Sequence, residues 1–388
     1  MQPVIDLEKE YGLALEGGGA KGAYQIGAWQ ALEEAGVKIR GVSGTSVGAL
    51  NGALICQGDL ETAKMLWANI SYSKIMDVDD DRMERMFQGT LKWKEALEEL
   101  TKFIADRGAD ITPLKNLIAE HVDEEKLRNS GRELFVSTYS VTDRMQLDVD
   151  IRDMPEGYVK DLLLASAYLP VFRNEKLHGK TYLDGGVNDV IPVDALIKRG
   201  YKDIIMVRIF GVGREKRIEI PGDVNMYSIE PRVDLGNIID FNSEKSRRNM
   251  VTGYYDAQRF LYGLAGSIYY IEQTHEQCYY LKQLTSVKQE ILIGLSEEYR
   301  LDPDPDMQLR NLLEVLLPVF AGELRLSKEW TYGELYLGIL EATARLLRVP
   351  KYQIYTVESL KEKVLERYRE EEAELPPFSR LILNEQMK

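Results

Sequence analysis

The sequence predicts an α/β layer protein followed by a helical extension, and three observations point there. Strand-like and helix-like segments alternate through about residue 265, as in a sheet covered by helices. Glycines and prolines punctuate the changes of period. Beyond about residue 275 the texture becomes leucine-rich and helical, with no clear strand pattern. Taken in order, residues 11–15 (YGLAL) read as a short buried strand, and 23–36 as a helix stopped by Gly36. Residues 38–43 (KIRGVS) form the next strand and 47–57 the next helix. Residues 60–130 are polar, acidic and helical in pattern, with turn signals at Gly108 and Pro113, and are expected as an insertion over the sheet near the active-site entrance. Residues 133–141 and 145–151 pair as a hairpin around Thr142, Asp143 and Arg144, and 161–168 is a helix stopped by Pro170. Residues 180–186 are a short strand running into a glycine turn, 193–200 a helix, 203–210 the last clear buried strand and 242–263 a long helix. The expected division is an α/β domain over 1–270 and a helical extension over 271–388, the latter including the segments 306–320, 334–350 and 357–375. That extension packs on the core or on a second subunit, which makes it the expected route to a homo-oligomer, or it contacts lipid.

Composition excludes several classes. Forty-nine Lys and Arg against 63 Asp and Glu leave a net charge of -14, which repels phosphate backbones and argues against nucleic-acid binding. The acidic excess is marked in residues 51–150 and absent from 151–250, so a local docking face stays open. Two cysteines, Cys56 and Cys278, are too few for a disulfide framework, and their apolar neighbours suggest buried thiols in a reducing compartment. MQPVIDLEKE has neither the basic opening nor the apolar core of a signal peptide, and no uninterrupted apolar run reaches spanning length. The expectation is a soluble, cytoplasmic chain.

The chemistry begins at the first strand. Gly17, Gly19 and Gly22 satisfy the Gly-x-Gly-x-x-Gly dinucleotide fingerprint, but that fingerprint needs an acidic residue at the end of the second strand, and here the strand ends in Gly41, Val42 and Ser43. The strand leads instead into Gly44-Thr45-Ser46-Val47-Gly48, a Gly-x-Ser-x-Gly elbow between a strand and a helix. Ser46 becomes the candidate nucleophile, with Gly44 and Gly48 allowing close approach of neighbouring elements. An acyl-transfer serine also needs backbone N–H donors for an oxyanion, which the amides of Gly17, Gly18 and Gly19 can supply. The candidate base is Asp184 in Leu183-Asp184-Gly185-Gly186, at a strand end, with the two glycines keeping its approach open; burial that raises its pKa would suit it to the task. Of the three histidines, His121 and His178 lie in polar stretches, and His275 follows the last clear strand, where the order Ser, Asp, His suits an α/β-hydrolase triad. The acidic stretch Asp77, Asp79, Asp80 and Asp81 lacks the spacing of a calcium loop. The tyrosines from Tyr254 to Tyr280 read as helix packing rather than a ligand box.

Three blocks, Glu16-Gly17-Gly18-Gly19-Ala20-Lys21-Gly22, Gly44-Thr45-Ser46-Val47-Gly48 and Asp184-Gly185-Gly186, together resemble the patatin-like phospholipases, the bacterial cytosolic branch in particular. Leu164-Ala165-Ser166-Ala167-Tyr168-Leu169-Pro170 and Gly253-Tyr254-Tyr255-Asp256-Ala257 extend the similarity over about residues 11–265. The resemblance implies a three-layer fold around a mixed, mostly parallel sheet and a Ser46–Asp184 dyad without a catalytic histidine. It implies an oxyanion hole at Gly17 to Gly19, with Lys21 steadying the loop and Gly22, Gly44, Gly48, Gly185 and Gly186 in support. The activity it implies is hydrolysis of acyl lipids or phospholipids through an acyl-enzyme, with no metal or organic cofactor and with transient contact at a membrane surface. A related acyl transferase or thioesterase, and a catalytically idle lipid-binding or scaffold protein, stay open. The sequence departs from the family at Glu16, where many plant members have Asp, and at Val190, where an Asn often precedes the proline found here as Pro192.

Overall fold

The computed structural model describes residues 1–88, 108–169, 172–173, 175–370 and 373–384. The chain divides into two units, Met1–Tyr262 and Gly263–Lys388. The division falls ahead of residue 270 because Ala265 and Ile271 already exchange backbone hydrogen bonds, and Tyr270–Ile271 pairs in parallel with Ile354–Tyr355.

The first unit is built on a seven-stranded sheet: β1 (Glu10–Leu15), β2 (Lys38–Thr45), β3 (Glu133–Ser140), β4 (Met145–Asp150), β5 (Tyr182–Asp184), β6 (Asp203–Val207) and β7 (Asn225–Ile229). The order is β4-β3-β2-β1-β6-β7, with β5 also pairing on β3. Strands β1, β2, β3, β6 and β7 run parallel, and β4 and β5 are antiparallel to β3. Alternation along β1 sends Tyr11, Leu13 and Leu15 into one core and Ala14 into the other, so a strand buried on both faces reads as an unbroken apolar run. Helices α1 (Ala23–Glu34), α2 (Val47–Gln57), α3 (Leu60–Ala68), α4 (Asp80–Gln88), α5 (Thr112–His121) and α6 (Val159–Ser166) contribute to the larger core, and α7 (Val193–Lys198) covers the opposite face with Val193 and Leu196. Helices on both faces of a mixed, mostly parallel sheet make the three-layer architecture expected from the sequence.

The long helix α8 (Ser243–Tyr262) crosses α1 at backbone contact. A Cβ on Gly27 would stand 1.8 Å from Met250 O, and one on Gly253 would stand 2.0 Å from Tyr24 O. The Tyr24 hydroxyl then reaches the Asp256 carboxylate at 3.0 Å, which gives the Gly253-to-Ala257 block a packing role. Strand β7 has no counterpart in the sequence reading, because NMYSI is an edge strand with a single buried residue. Residues 89–107 of the expected insertion and Pro170 lie outside the described residues.

The second unit has its own core, with Leu316, Phe320, Leu340 and Val364 fully buried. Its helix Tyr332–Leu346 opens with a capping box in which Thr331 Oγ1 accepts from Glu334 N at 3.2 Å and the Glu334 carboxylate accepts from Thr331 N at 2.8 Å. The stretch expected as one helix over 306–320 widens into a π turn at Leu312–Leu316, immediately before Pro318, which has no N–H to close a turn on Glu314. Cys56 is buried as expected, but Cys278 is exposed, because Tyr280 takes the inward position on helix Gln277–Thr285. Among the described residues no helix is long and apolar enough to cross a membrane.

Candidate active site

Strand β2 ends at Thr45 and α2 begins at Val47, so one residue must turn the chain. That residue is Ser46, at φ 56° and ψ −126°, a conformation that costs a non-glycine residue on the order of 1–3 kcal/mol and persists only where its surroundings impose it. Those surroundings are close-packed backbone. A Cβ on Gly44 would stand 2.3 Å from Gly48 O, and one on Gly48 would stand 2.4 Å from Leu15 O, so only glycines let the strand and helix close this tightly. The Ser46 N–H donates to Ser166 Oγ at 2.8 Å, and Ser166 in turn donates to Ser137 O at 2.6 Å. The Thr45 hydroxyl donates to Asp189 O at 3.0 Å.

Sheet register brings the aspartate to this turn. Thr45, the last residue of β2, is paired with Ser137 of β3, while Asp184, the last residue of β5, is paired with the next residue, Thr138. Strand β5 therefore continues the sheet where β2 leaves it. Gly185 follows through a gap in which a Cβ would meet Ser137 O at 2.5 Å. Asp184 Oδ1 accepts from Gly186 N at 2.8 Å, whereas Oδ2 is buried with no partner at full hydrogen-bond geometry. Burial pushes the carboxyl up to about 6, with the Ser46 hydroxyl and the Gly186 N–H pulling the other way.

The glycine loop is held from behind. The buried Glu16 carboxylate accepts from the N–H groups of Ile209 (2.7 Å) and Phe210 (3.0 Å), and Lys21 Nζ donates to Phe210 O at 2.7 Å. Burial raises the Glu16 pKa, and those backbone N–H groups with the Arg208 guanidinium oppose the rise. Gly17 differs from the expectation: its N–H donates to Val190 O at 2.8 Å and is already engaged. The amides of Gly18 and Gly19 have no acceptor among the described residues. Gly22 lies where the loop enters α1, and its carbonyl accepts from Asn51.

Beside Ser46 and Gly19 lies a cleft, partly open to solvent and otherwise lined by apolar side chains apart from Asn51. Val47, Leu50 and Leu54 of α2 line it, together with Leu66, Ile75 and Leu114 from the described parts of the expected insertion. Neither histidine of the first unit, His121 or His178, hydrogen-bonds Ser46 among the described residues. His178 stacks on Tyr158 with its Nε2 2.7 Å from Asp161; His275 stacks on Tyr279 with its Nε2 2.6 Å from Glu358; His121 has its nearest carboxylate in Glu120, at 3.8 Å. Asp79 and Asp80 accept from the N–H groups of Arg82 and Ser73 at 2.8 Å each. No group of three or more His, Cys, Asp or Glu among the described residues is arranged to hold a metal.

Glu16 and Ser166, named in the sequence only as members of matching blocks with no role assigned, and Gln25 and Asn51, not named there at all, support the site. Glu16 carried one usable signal, a charge closing an apolar strand. The other three are ordinary polar positions until the fold brings them together.

The fold is thus a three-layer α/β sheet with a serine on a strand–turn–helix elbow opposite an aspartate strand end. Residues 13–197 match the family model for Patatin-like phospholipase, so this part of the chain carries a patatin-like phospholipase domain. The rat Patatin-like phospholipase domain-containing protein 7 (Rattus norvegicus) is 26% identical over 204 residues, and the Neuropathy target esterase sws of Drosophila melanogaster is 28% identical over 198 residues. Each alignment takes in 51% of this chain and spans only 13% of the relative's length. Lysophospholipase nte1 of Aspergillus terreus is 56% identical over 46 residues, 12% of this chain and 3% of that protein. The crystal structure of VipD from Legionella pneumophila is 15% identical with a TM-score of 0.42, over 96% of this chain and 90% of that one.

Proposed function

We propose that the protein hydrolyses acyl esters of lipids, with Ser46 as nucleophile and Asp184 as base. The observation that carries this is the register of β2 and β5 on β3, which sets a strained serine opposite a buried carboxylate at the side of an apolar cleft. Ser46 Oγ attacks the ester carbonyl carbon while its proton passes to Asp184 Oδ2. The Gly18 and Gly19 amides hold the oxyanion. As the tetrahedral adduct collapses, the carbon–oxygen bond to the alcohol breaks, and the leaving oxygen takes the proton from Asp184. Water then attacks the Ser46 ester with Asp184 again receiving the proton, and the freed serine oxygen recovers it as the carboxylic acid departs. A carboxyl with a pKa near 6 is ionised near neutrality yet basic enough to accept a proton.

The acyl lipid or phospholipid substrate, its delivery by transient contact with a membrane surface and the cytoplasmic residence of the enzyme belong to the same proposal. So does self-association through the helices of the second unit. Mapping adducts after treatment with a fluorophosphonate, beside Ser46→Ala and Asp184→Asn, tests the dyad. A single adduct on Ser46, lost in the first variant and strongly slowed in the second, is expected. A folded wild type that takes no adduct at Ser46 favours an idle lipid-binding or scaffold protein. Product analysis with competing alcohols and thiols distinguishes hydrolysis from acyl transfer or thioester chemistry.

A further inference from the structure

We propose that Trp67 is the specificity-determining wall of the cleft and that Asn51 positions it, so that the site takes one unbranched acyl chain laid along α2. The proposal rests on Ser46 being the acyl-accepting serine. Ser46 stands at the start of α2, and Val47, Leu50, Asn51 and Leu54 come next at the spacing that shares one helix face; all four line the cleft. From Ser46 to Leu54 the helix rises ~12 Å. A staggered chain of ~1.5 Å bonds advances about 1.25 Å per methylene, so this face accommodates roughly ten carbons.

Asn51 is the anomaly in that wall. An amide 1% exposed and set against an acyl chain is costly unless its polar atoms are satisfied elsewhere. They are satisfied: Nδ2 donates to Gly22 O at 3.0 Å and to Gln25 Oε1 at 2.8 Å, and Oδ1 accepts from Trp67 Nε1 at 2.9 Å. Gln25 passes the link on by donating to Glu16 O at 2.7 Å. The indole is therefore tied to both ends of the glycine segment, at Glu16 and at Gly22. It is also clamped by packing, since a Cβ on Gly22 would stand 2.9 Å from Trp67 Cζ2 and 2.4 Å from Val47 Cγ2. A flat ring fixed at two points beside the first turn of α2 faces the carbons nearest the ester. In this proposal the ring is what excludes a branch there.

The test uses the full chain and alkyl fluorophosphonates in which only the alkyl group on phosphorus varies: butyl, decyl, hexadecyl and 2-ethylhexyl. Ser46 Oγ bonds to phosphorus, fluoride leaves and the serine proton is lost, so intact mass read over time gives a rate for each probe. In the wild type the rate rises from butyl to decyl, gains nothing further with hexadecyl, and is at least about tenfold lower for 2-ethylhexyl than for decyl. Trp67→Ala and Asn51→Leu, the second keeping the ring but removing its anchor, each raise the 2-ethylhexyl to decyl ratio by about tenfold. Leu50→Trp, at a part-exposed position on the same face, leaves the relay intact and covers the case in which those two fail to fold; it slows decyl relative to butyl by about tenfold. Equal factors for every probe in the folded variants, or a wild type indifferent to length and branching, overturn the wall. No adduct with any probe on folded wild type overturns the serine assignment and the wall with it.

Discussion

Asp184 in the first unit and Glu341 in the second are both buried carboxylates, and their surroundings differ in one respect. Glu341 has each oxygen accepting twice: Oε1 from the N–H groups of Ile268 (2.8 Å) and Tyr269 (2.7 Å), Oε2 from the N–H and hydroxyl of Ser267 (2.9 and 3.0 Å). Asp184 has one oxygen bound to Gly186 and the other short of any full hydrogen bond, with only the Ser46 hydroxyl acting on the carboxyl besides. A carboxylate surrounded by donors is a staple, because every lone pair is spent on holding backbone in place. A carboxylate left one lone pair short, beside a strained serine, is available to take a proton. The same contrast runs through the glycine loop, where the engaged N–H of Gly17 fixes the chain and the unengaged amides of Gly18 and Gly19 can receive charge.

The sharpest way to break this comparison is to neutralise each carboxylate in turn. Asp184→Asn keeps the shape and an acceptor for Gly186 N, so we expect ester turnover to fall by roughly 10³-fold or more with no loss of thermal midpoint. Retained turnover in a steady-state assay would remove Asp184 from the base role. Glu341→Ala should do the reverse: it orphans the donors around it and costs about 3 kcal/mol in urea unfolding of the second unit, with Ser46 labelling unchanged under conditions where that unit stays folded.

The pH dependence separates the two functions of Asp184. Turnover should rise as the carboxylate ionises through about pH 6. Stability should move the other way. The native carboxyl keeps its proton up to about 6, while in the unfolded chain it is released near 3.8, so between those values the native state binds more protons and folding weakens as pH rises. Asp184→Asn should accordingly be the more stable protein above pH 6, by roughly 3 kcal/mol, with the advantage vanishing below pH 4; equal pH dependence of unfolding in both proteins would contradict the raised pKa. The smallest expected effect is at Lys21. Lys21→Met removes an exposed donor to Phe210 O, and we expect less than about 1 kcal/mol in stability and a few-fold loss in labelling rate at Ser46.

Much of the fold was legible because its signals are local. YGLAL, the Gly-x-Ser-x-Gly elbow and Asp184-Gly185-Gly186 each announce a backbone geometry from a handful of neighbouring residues, and the structure has a strand, a strained turn and a strand end at those places. Strand β7 was not legible, since an edge strand needs little apolar patterning. The π turn before Pro318 was missed because one proline inside a leucine-rich run reads only as a weak break. Cys278 was misplaced inward because its neighbours, not its own position on the helix, were apolar.

The sequence by itself determined that Ser46 sits on an elbow, that glycines precede it and that an aspartate ends a later strand, because each of these is a property of consecutive residues. Only the tertiary structure decided that Thr45 and Asp184 take successive places along β3, that Gly17 is engaged by Val190, and that Glu16, Gln25, Asn51 and Trp67 link the loop to the cleft. Strand register, and hydrogen bonds between residues far apart in the chain, follow from how the whole sheet packs, and no local pattern encodes them.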